Sequence, residues 1–502
     1  MADVLHLEGR DKRGVIIMLP TKVVVIGAGS AIFGLNTLAC LLNNPRLHGS
    51  ELALVDLNAE ALGHVKRLAE RLNREWDADM KITSHTHHAE ALNGAQYVVI
   101  SIEVSPREDL WKMDFQIPLK YGVRQPYAEN GGPGGFMHAT RNIGPLLEIA
   151  HDMEKLCPDA WMLNFSNPLI RLCDAVNRHS KIKVVGLCHQ LHMGYALVAH
   201  ILRDVLDIRE SGDFVDATPI AHVLRKALEG QPPASFVNTA ATPSQIPFHF
   251  GYAKQALEKV EIIAAGVNHF TWILNIRDKR TGEDLLPLFK QRWDAYDPAF
   301  EPLTRRLFEH FGAFPVAGDE HICEYLPWVG DPITKPWEKY DIMLYEWDLW
   351  DSLRDIGAVD IAQMGEGQVS IDDLKDEDSE GVMELVVAMA GGEPHYHQAV
   401  NIPNDGYISN LPDNSIVEVP GFVSGMGVRG VGVGALPPGV AELCRRELIT
   451  AQLGVDAAVK GDRQLAMQCL LLDPVIRDMD VAKQILDDYL ETYRQYLPQF
   501  WA

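Results

Sequence analysis

The 502-residue chain is 47% hydrophobic and 23% charged, the balance of a soluble globular protein that can hold one large α/β unit or two domains sharing an interface. Its 45 basic and 69 acidic residues leave a formal charge of −24, which speaks against nucleic acid or an anionic membrane surface as a partner. Seven cysteines, odd in number and without a Cys-x-x-Cys pair, form no disulfide framework and point to a reducing cytoplasm.

No apolar run approaches the ~20 residues of a membrane helix. Residues 1–20 lack the basic start and long apolar core of a secretory signal and are expected to be a loosely specified leader. Residues 22–26 form a short β-branched run, expected to be a buried parallel strand. A glycine-rich turn and a helix to about residue 42 follow, then a second strand at 51–56. Residues 58–76 carry Leu62, Val65, Leu68, Ala69 and Leu72 at helical spacing. Further strands are expected at 81–84, 97–102, 161–164 and 184–187. This alternation predicts a doubly wound, Rossmann-like sheet over residues 21–190.

Residues 191–502 are expected to form an α+β substrate, metal and oligomerisation domain. Within it, the proline-interrupted stretch 205–258 reads as an insertion with loops and 261–276 as a strand. The Trp-, Tyr- and Pro-rich stretch 281–360 is suited to walling a pocket. Antiparallel strands are expected within 401–433, and helices dominate 439–497.

Gly27-Ala28-Gly29-Ser30 follows the first strand, where backbone N–H groups can face a pyrophosphate. A full dinucleotide fingerprint would carry glycine at position 32, where this chain has Ile32, and Gly34 follows two residues later. Asp56 closes the second strand, where a carboxylate can accept from both ribose hydroxyls and favour NAD over NADP. Cys188 and His189 lie just past the last parallel strand, at the sheet edge where ligands bind in such folds. His269 comes from a separate strand end. A thiolate and an imidazole could hold Mn²⁺, Fe²⁺, Co²⁺, Ni²⁺ or Zn²⁺ with positions open for substrate oxygens.

These motifs, with Asn164-Phe165-Ser166-Asn167-Pro168, Gly266-Val267-Asn268-His269-Phe270-Thr271-Trp272, His321-Ile322-Cys323-Glu324-Tyr325-Leu326-Pro327, Asn410-Leu411-Pro412 and Val433-Gly434-Ala435-Leu436-Pro437, resemble the family 4 glycoside hydrolases from about residue 22 to 497. The resemblance implies a fold like that of lactate and malate dehydrogenases and a glycosidase that uses NAD without consuming it. Hydride leaves C3 of the sugar, a base takes the acidified C2 proton, the aglycone departs, water adds and the hydride returns. It implies Cys188 and His269 as ligands of a divalent metal, manganese being expected. Gly27, Gly29, Ser30, Asp56 and Ser101 fall on the cofactor side. Asn167 falls where sugar and cofactor meet, and His189 where some members place the acid for the leaving oxygen. Asp319 and Tyr325 are alternative bases, Glu129 lies near the sugar hydroxyls, and relatives commonly form homodimers or homotetramers.

Cys-His after the strand accompanies unphosphorylated sugars in that family, and Gln190 matches none of its usual signatures. The wide Cys188–His269 separation fits the insertion at 205–258. These departures suggest a side branch acting on a C6-anionic α-hexopyranoside, foremost a sulfoquinovoside, with Arg124, Arg141, Arg429 and His138 as candidate partners of the anion. An α-glucuronide, galacturonide, galactoside or glucoside is the alternative substrate. A sugar or 2-hydroxyacid dehydrogenase is the alternative class.

Overall fold

The computed structural model describes residues 16–29, 33–208, 250–345, 347–376 and 381–502. The first half builds β1 (Lys22–Ile26), α1 (Phe33–Asn43), β2 (Glu51–Val55), α2 (Ala59–Glu75), β3 (Lys81–His85), α3 (His88–Leu92), β4 (Tyr97–Ile100), α4 (Arg107–Lys120), α5 (Gly132–Leu156), β5 (Trp161–Asn164), α6 (Leu169–His179), β6 (Lys183–Gly186) and α7 (Gln190–Ile201). The strands pair in the order β3-β2-β1-β4-β5-β6, all parallel. The β-branched runs are buried on both faces, as a sheet covered by helices requires. α2 shows the local logic: the Asn58 side chain accepts from the N–H groups of Glu60 and Ala61, and Leu62, Val65, Leu68, Ala69 and Leu72 form its buried face.

α5 is a helix that opens on a loop-like sequence, Gly132-Pro133-Gly134-Gly135. Proline is tolerated in a first helical turn because the N–H it lacks has no helical acceptor there. Gly135 is needed because a side chain there would strike the Asn130 backbone. The close approach sets the loop 127–131 against the helix start.

The second half does not form a separate layer. β7 (Val260–Val267), β8 (Phe270–Asp278), β9 (Phe314–Pro315), β10 (His395–Pro403), β11 (Ile416–Ser424) and β12 (Gly427–Gly430) extend the same sheet to twelve described strands. The stretch expected to be one strand at 261–276 is a hairpin, turning at Asn268-His269 between paired Val267 and Phe270. Of the expected insertion, residues 209–249 lie outside the described residues, and its end is the helix Phe250–Lys259 rather than loop. The antiparallel strands of 401–433 and the C-terminal helices Pro438–Lys460, Arg463–Leu472 and Met479–Thr492 are present. No described helix is long and apolar enough to cross a membrane.

The join between the halves is narrow. β10 meets β6 through the single pair Asn401–Gly186, and within the second half β11 meets β7 through Glu418–Gly266. Side chains reinforce both pairs. The buried Glu418 carboxyl accepts from Asn268 Nδ2 and Asn401 Nδ2 at 2.9 Å each and from Thr271 Oγ1 at 2.7 Å. Asn401 Nδ2 also reaches the Gly186 carbonyl at 3.4 Å. Glu418→Ala strands three buried donors, each worth roughly 1–3 kcal/mol. Chemical denaturation should show a loss of about 3 kcal/mol or more, with Glu418→Gln intermediate. A loss under about 1 kcal/mol for the alanine variant would contradict this reading of the join.

Candidate active site

The carboxyl ends of β1, β2 and β4–β6 gather on one edge. Gly27 adopts a φ of +88°, and a side chain there would overlap the Ser101 carbonyl. Gly29 N–H donates to Asp56 Oδ2 at 2.8 Å, and Asn58 N–H donates to Oδ1 at 2.8 Å. The Asp56 carboxylate is therefore fixed over the glycine turn, half-buried, and among the described residues each oxygen accepts one backbone N–H. That arrangement fits a dinucleotide ribose. Ser101 contributes its backbone to this turn, and Ser30 lies outside the described residues.

Cys188 follows β6, and His269 occupies the second turn position of the β7–β8 hairpin. Cys188 Sγ and His269 Nε2 stand 3.3 Å apart. Ligand bonds of about 2.3 Å to sulfur and about 2.1 Å to nitrogen, at octahedral to tetrahedral angles, separate two donors by roughly 3.1–3.6 Å. The pair therefore fits one divalent ion. Burial, with the charges of His321 and His189 behind it, pushes the His269 pKa well down, so the imidazole is neutral, the state that binds metal. Among the described residues no group of three or more His, Cys, Asp or Glu is arranged for an ion.

His269 holds a φ of +60°, a conformation that costs a non-glycine residue roughly 1–2 kcal/mol. Three contacts over-determine it: its N–H donates to Gln190 Oε1 at 2.8 Å, Nδ1 meets Asn130 Nδ2 at 2.8 Å, and Nε2 meets Cys188. Asn130 Nδ2 also donates to Glu129 Oε2 at 2.7 Å, and the Asn167 side chain hydrogen-bonds the same carboxyl. Glu129, Asn130, Asn167, Cys188 and His269 thus form one connected set. Burial raises the Glu129 pKa against the pull of His138, Asn167 and Arg107.

Of the two candidate bases, Tyr325 is the one at this set. A side chain at Gly131, next to Asn130, would lie 3.1 Å from its ring, which stacks on Phe270, next to His269, at 4.9 Å. Burial pushes its phenol well up. Asp319 is placed otherwise: it accepts from the N–H groups of Leu303 and Thr304 at 2.7 Å each, capping the helix Pro302–Phe311 from within the protein.

Two candidate cations for an anionic sugar are committed elsewhere. Arg141 is bidentate to buried Asp114 at 2.5 Å and lies over the Tyr493 ring. His138 Nε2 pairs with Glu103 at 2.8 Å while Nδ1 meets the Glu129 carbonyl at 3.1 Å. Burial alone would lower the His138 pKa, but the Glu103 carboxylate raises it. Arg124 donates to the Ile342 carbonyl and lies over Trp337. Arg429 is exposed on the short strand β12, two residues from Gly427, which packs on Trp161 at the start of β5 rather than at its end.

Sequence reasoning missed Asn130, Gln190 as a site contact, and His321. His321 stacks on Tyr127 at 4.2 Å and lies 4.7 Å from the His269 ring. Glu324 accepts from Tyr127 and Ala128 N–H at 2.8 Å, fixing the loop that carries Glu129, and burial raises its pKa to about 8.

Burial, and behind it the His189 charge, lowers the His321 pKa from 6.5 to about 4. Its folded value lies below its unfolded one, so its contribution is complete above pH 6.5 and is lost as the pH falls toward 4. The metal-free protein should lose thermal stability across that window. His321→Phe, which keeps a ring against Tyr127, should lose less, and equal slopes would contradict the assignment.

Comparison with known proteins matches this frame at full length. The family description "Family 4 glycosyl hydrolase" fits residues 22–206, and "Family 4 glycosyl hydrolase C-terminal domain" fits 264–476. An alpha-glucosidase of Erwinia rhapontici is 30% identical over 95% of this chain and 99% of its own length. An alpha-galactosidase of Bacillus subtilis (strain 168) is 28% identical, with coverage of 95% and 99%. The crystal structure of the putative glucosidase lplD from Bacillus subtilis superposes with a TM-score of 0.77 at 25% identity, covering 94% of this chain and 100% of that one. A 6-phospho-alpha-glucosidase from gut microorganisms, solved in complex with NAD and Mn²⁺, shares the fold with a TM-score of 0.73 at 20% identity, covering 96% and 99%. With both halves matched in order and the sheet edge built as above, the chain belongs to the family 4 glycosyl hydrolases.

Proposed function

We propose that this enzyme hydrolyses an unphosphorylated α-hexopyranoside, an α-glucoside first among them, with NAD and a divalent metal, manganese for preference, at one centre. The observation that carries the reading is the Cys188–His269 pair, 3.3 Å apart, on the same sheet edge as the Asp56-capped glycine turn. The alpha-glucosidase relative and the NAD- and Mn²⁺-bound structure of the same fold support it. When bound, NAD⁺ takes up and returns the hydride at C3, while an ion on Cys188 and His269 supplies the positive charge that acidifies the C2 proton.

The protein's own part is orientation and proton transfer. Asp56 accepts from the ribose hydroxyls, and Asn167 and Glu129 hold the sugar hydroxyls. Tyr325, once its own phenol proton has been given up, would take the C2 proton as the phenolate, and His189, when protonated, would give a proton to the leaving oxygen. A neutral C6 group suits the described site better than a sulfonate or carboxylate. Arg141 and His138 already have buried carboxylate partners, and an unpaired anion would pay a large desolvation cost.

Nitrophenyl α-glucoside, galactoside, galacturonide, glucuronide and sulfoquinovoside, each with and without NAD⁺, Mn²⁺ and a reductant, test the reading. Release from the glucoside that needs NAD⁺ yet builds up no NADH is expected. Release from the sulfoquinovoside alone would move the substrate to the C6-anionic class, and steady NADH growth would indicate a dehydrogenase. Tyr325→Phe should lower kcat by about 10²–10⁴-fold, the usual yield of a positioned base, with Mn²⁺ binding unchanged. A kcat within about three-fold of the parent would remove Tyr325 from that role.

A further inference from the structure

We infer that Gln190 is the residue that sets the metal pair and presents a donor to the substrate beside it. The inference rests on the metal reading proposed above and concerns a residue that the motif comparison left without a role. Gln190 is the first residue of α7, two positions after Cys188. It is buried, at 4% exposure. Its Oε1 accepts the His269 backbone N–H at 2.8 Å. One side chain therefore joins the segment that carries the sulfur ligand to the turn that carries the nitrogen ligand.

The orientation of the amide follows from chemistry. The group facing an N–H must be the oxygen, because a flipped amide would set donor against donor. Nε2 is then left buried with no hydrogen-bond partner among the described residues. A buried N–H₂ without an acceptor is costly, and on the metal reading the space beside His269 is where sugar oxygens would approach. An oxygen of the bound sugar is the acceptor that completes it. Oxygen-rich ligands satisfy this donor and a ligand lacking the hydroxyl leaves it stranded, which makes Gln190 a determinant of specificity as well as position.

The two roles separate by substitution. Gln190→Glu keeps an acceptor for the His269 N–H but has no donor at the second position. Gln190→Met keeps the volume and removes both. Direct titration with MnCl₂, read by calorimetry and by the Mn²⁺ electron paramagnetic resonance signal, reports the metal pair independently of turnover, and KM and kcat report the donor. Gln190→Met should bind Mn²⁺ about ten-fold or more weakly, the scale of one lost hydrogen bond. Gln190→Glu should bind Mn²⁺ at least as well as the parent but raise KM about ten-fold with kcat little changed.

If Gln190→Met fails to fold, Gln190→Glu still decides: parental KM overturns the donor role, and weakened Mn²⁺ binding overturns the positioning role. Parental Mn²⁺ affinity in a folded Gln190→Met overturns the inference while leaving the metal reading intact. A parent enzyme that takes up no Mn²⁺ overturns both.

Discussion

The Glu418 carboxyl is the acceptor that ties the strands of the antiparallel half together where that half meets the edge of β6. Its three bonds reach Asn401, which pairs with the last residue of β6, and Asn268 and Thr271, which flank His269. The parallel half delivers Cys188 and the antiparallel half delivers His269; one backbone pair joins the halves, and another joins β11 to β7 within the antiparallel half. A buried carboxyl with its donors in place is directional in a way that apolar packing is not. It ties the strand next to β6 to the turn that carries His269, which stands 3.3 Å from Cys188.

The site itself stores strain and desolvation in one residue. His269 sits in the left-handed region at a turn where asparagine or glycine would be easier, and burial keeps it neutral. Both conditions are unusual for a structural histidine, and the neutral imidazole is the form that the proposed metal role needs. Glu418 from one side and Gln190 from the other hold the turn. Around it, Glu324 and the close packing of Gly135 hold the loop of Glu129 and Asn130.

Much of this was legible from local sequence. β-branched runs marked the parallel strands, the glycine turn and Asp56 marked the cofactor edge, and Cys188 and His269 stood in recognisable motifs. The opening of α5 was opaque because its glycines serve close packing against Gln125, Ala128 and Asn130, not a loop. The hairpin at Asn268-His269 was read as one strand because its turn carries no glycine. The partners of Arg141, His138 and Asp319 were beyond local reading. Asp114 lies 27 residues from Arg141, and the helix that Asp319 caps precedes it in the chain. Only the fold shows that these charged groups are already paired or used as caps.

The most direct test of the account is anomalous diffraction from crystals soaked in MnCl₂ under reducing conditions. A single strong peak within bonding distance of both Cys188 Sγ and His269 Nε2 is the predicted result. A peak elsewhere, or none at that pair while Mn²⁺ supports hydrolysis, would contradict it.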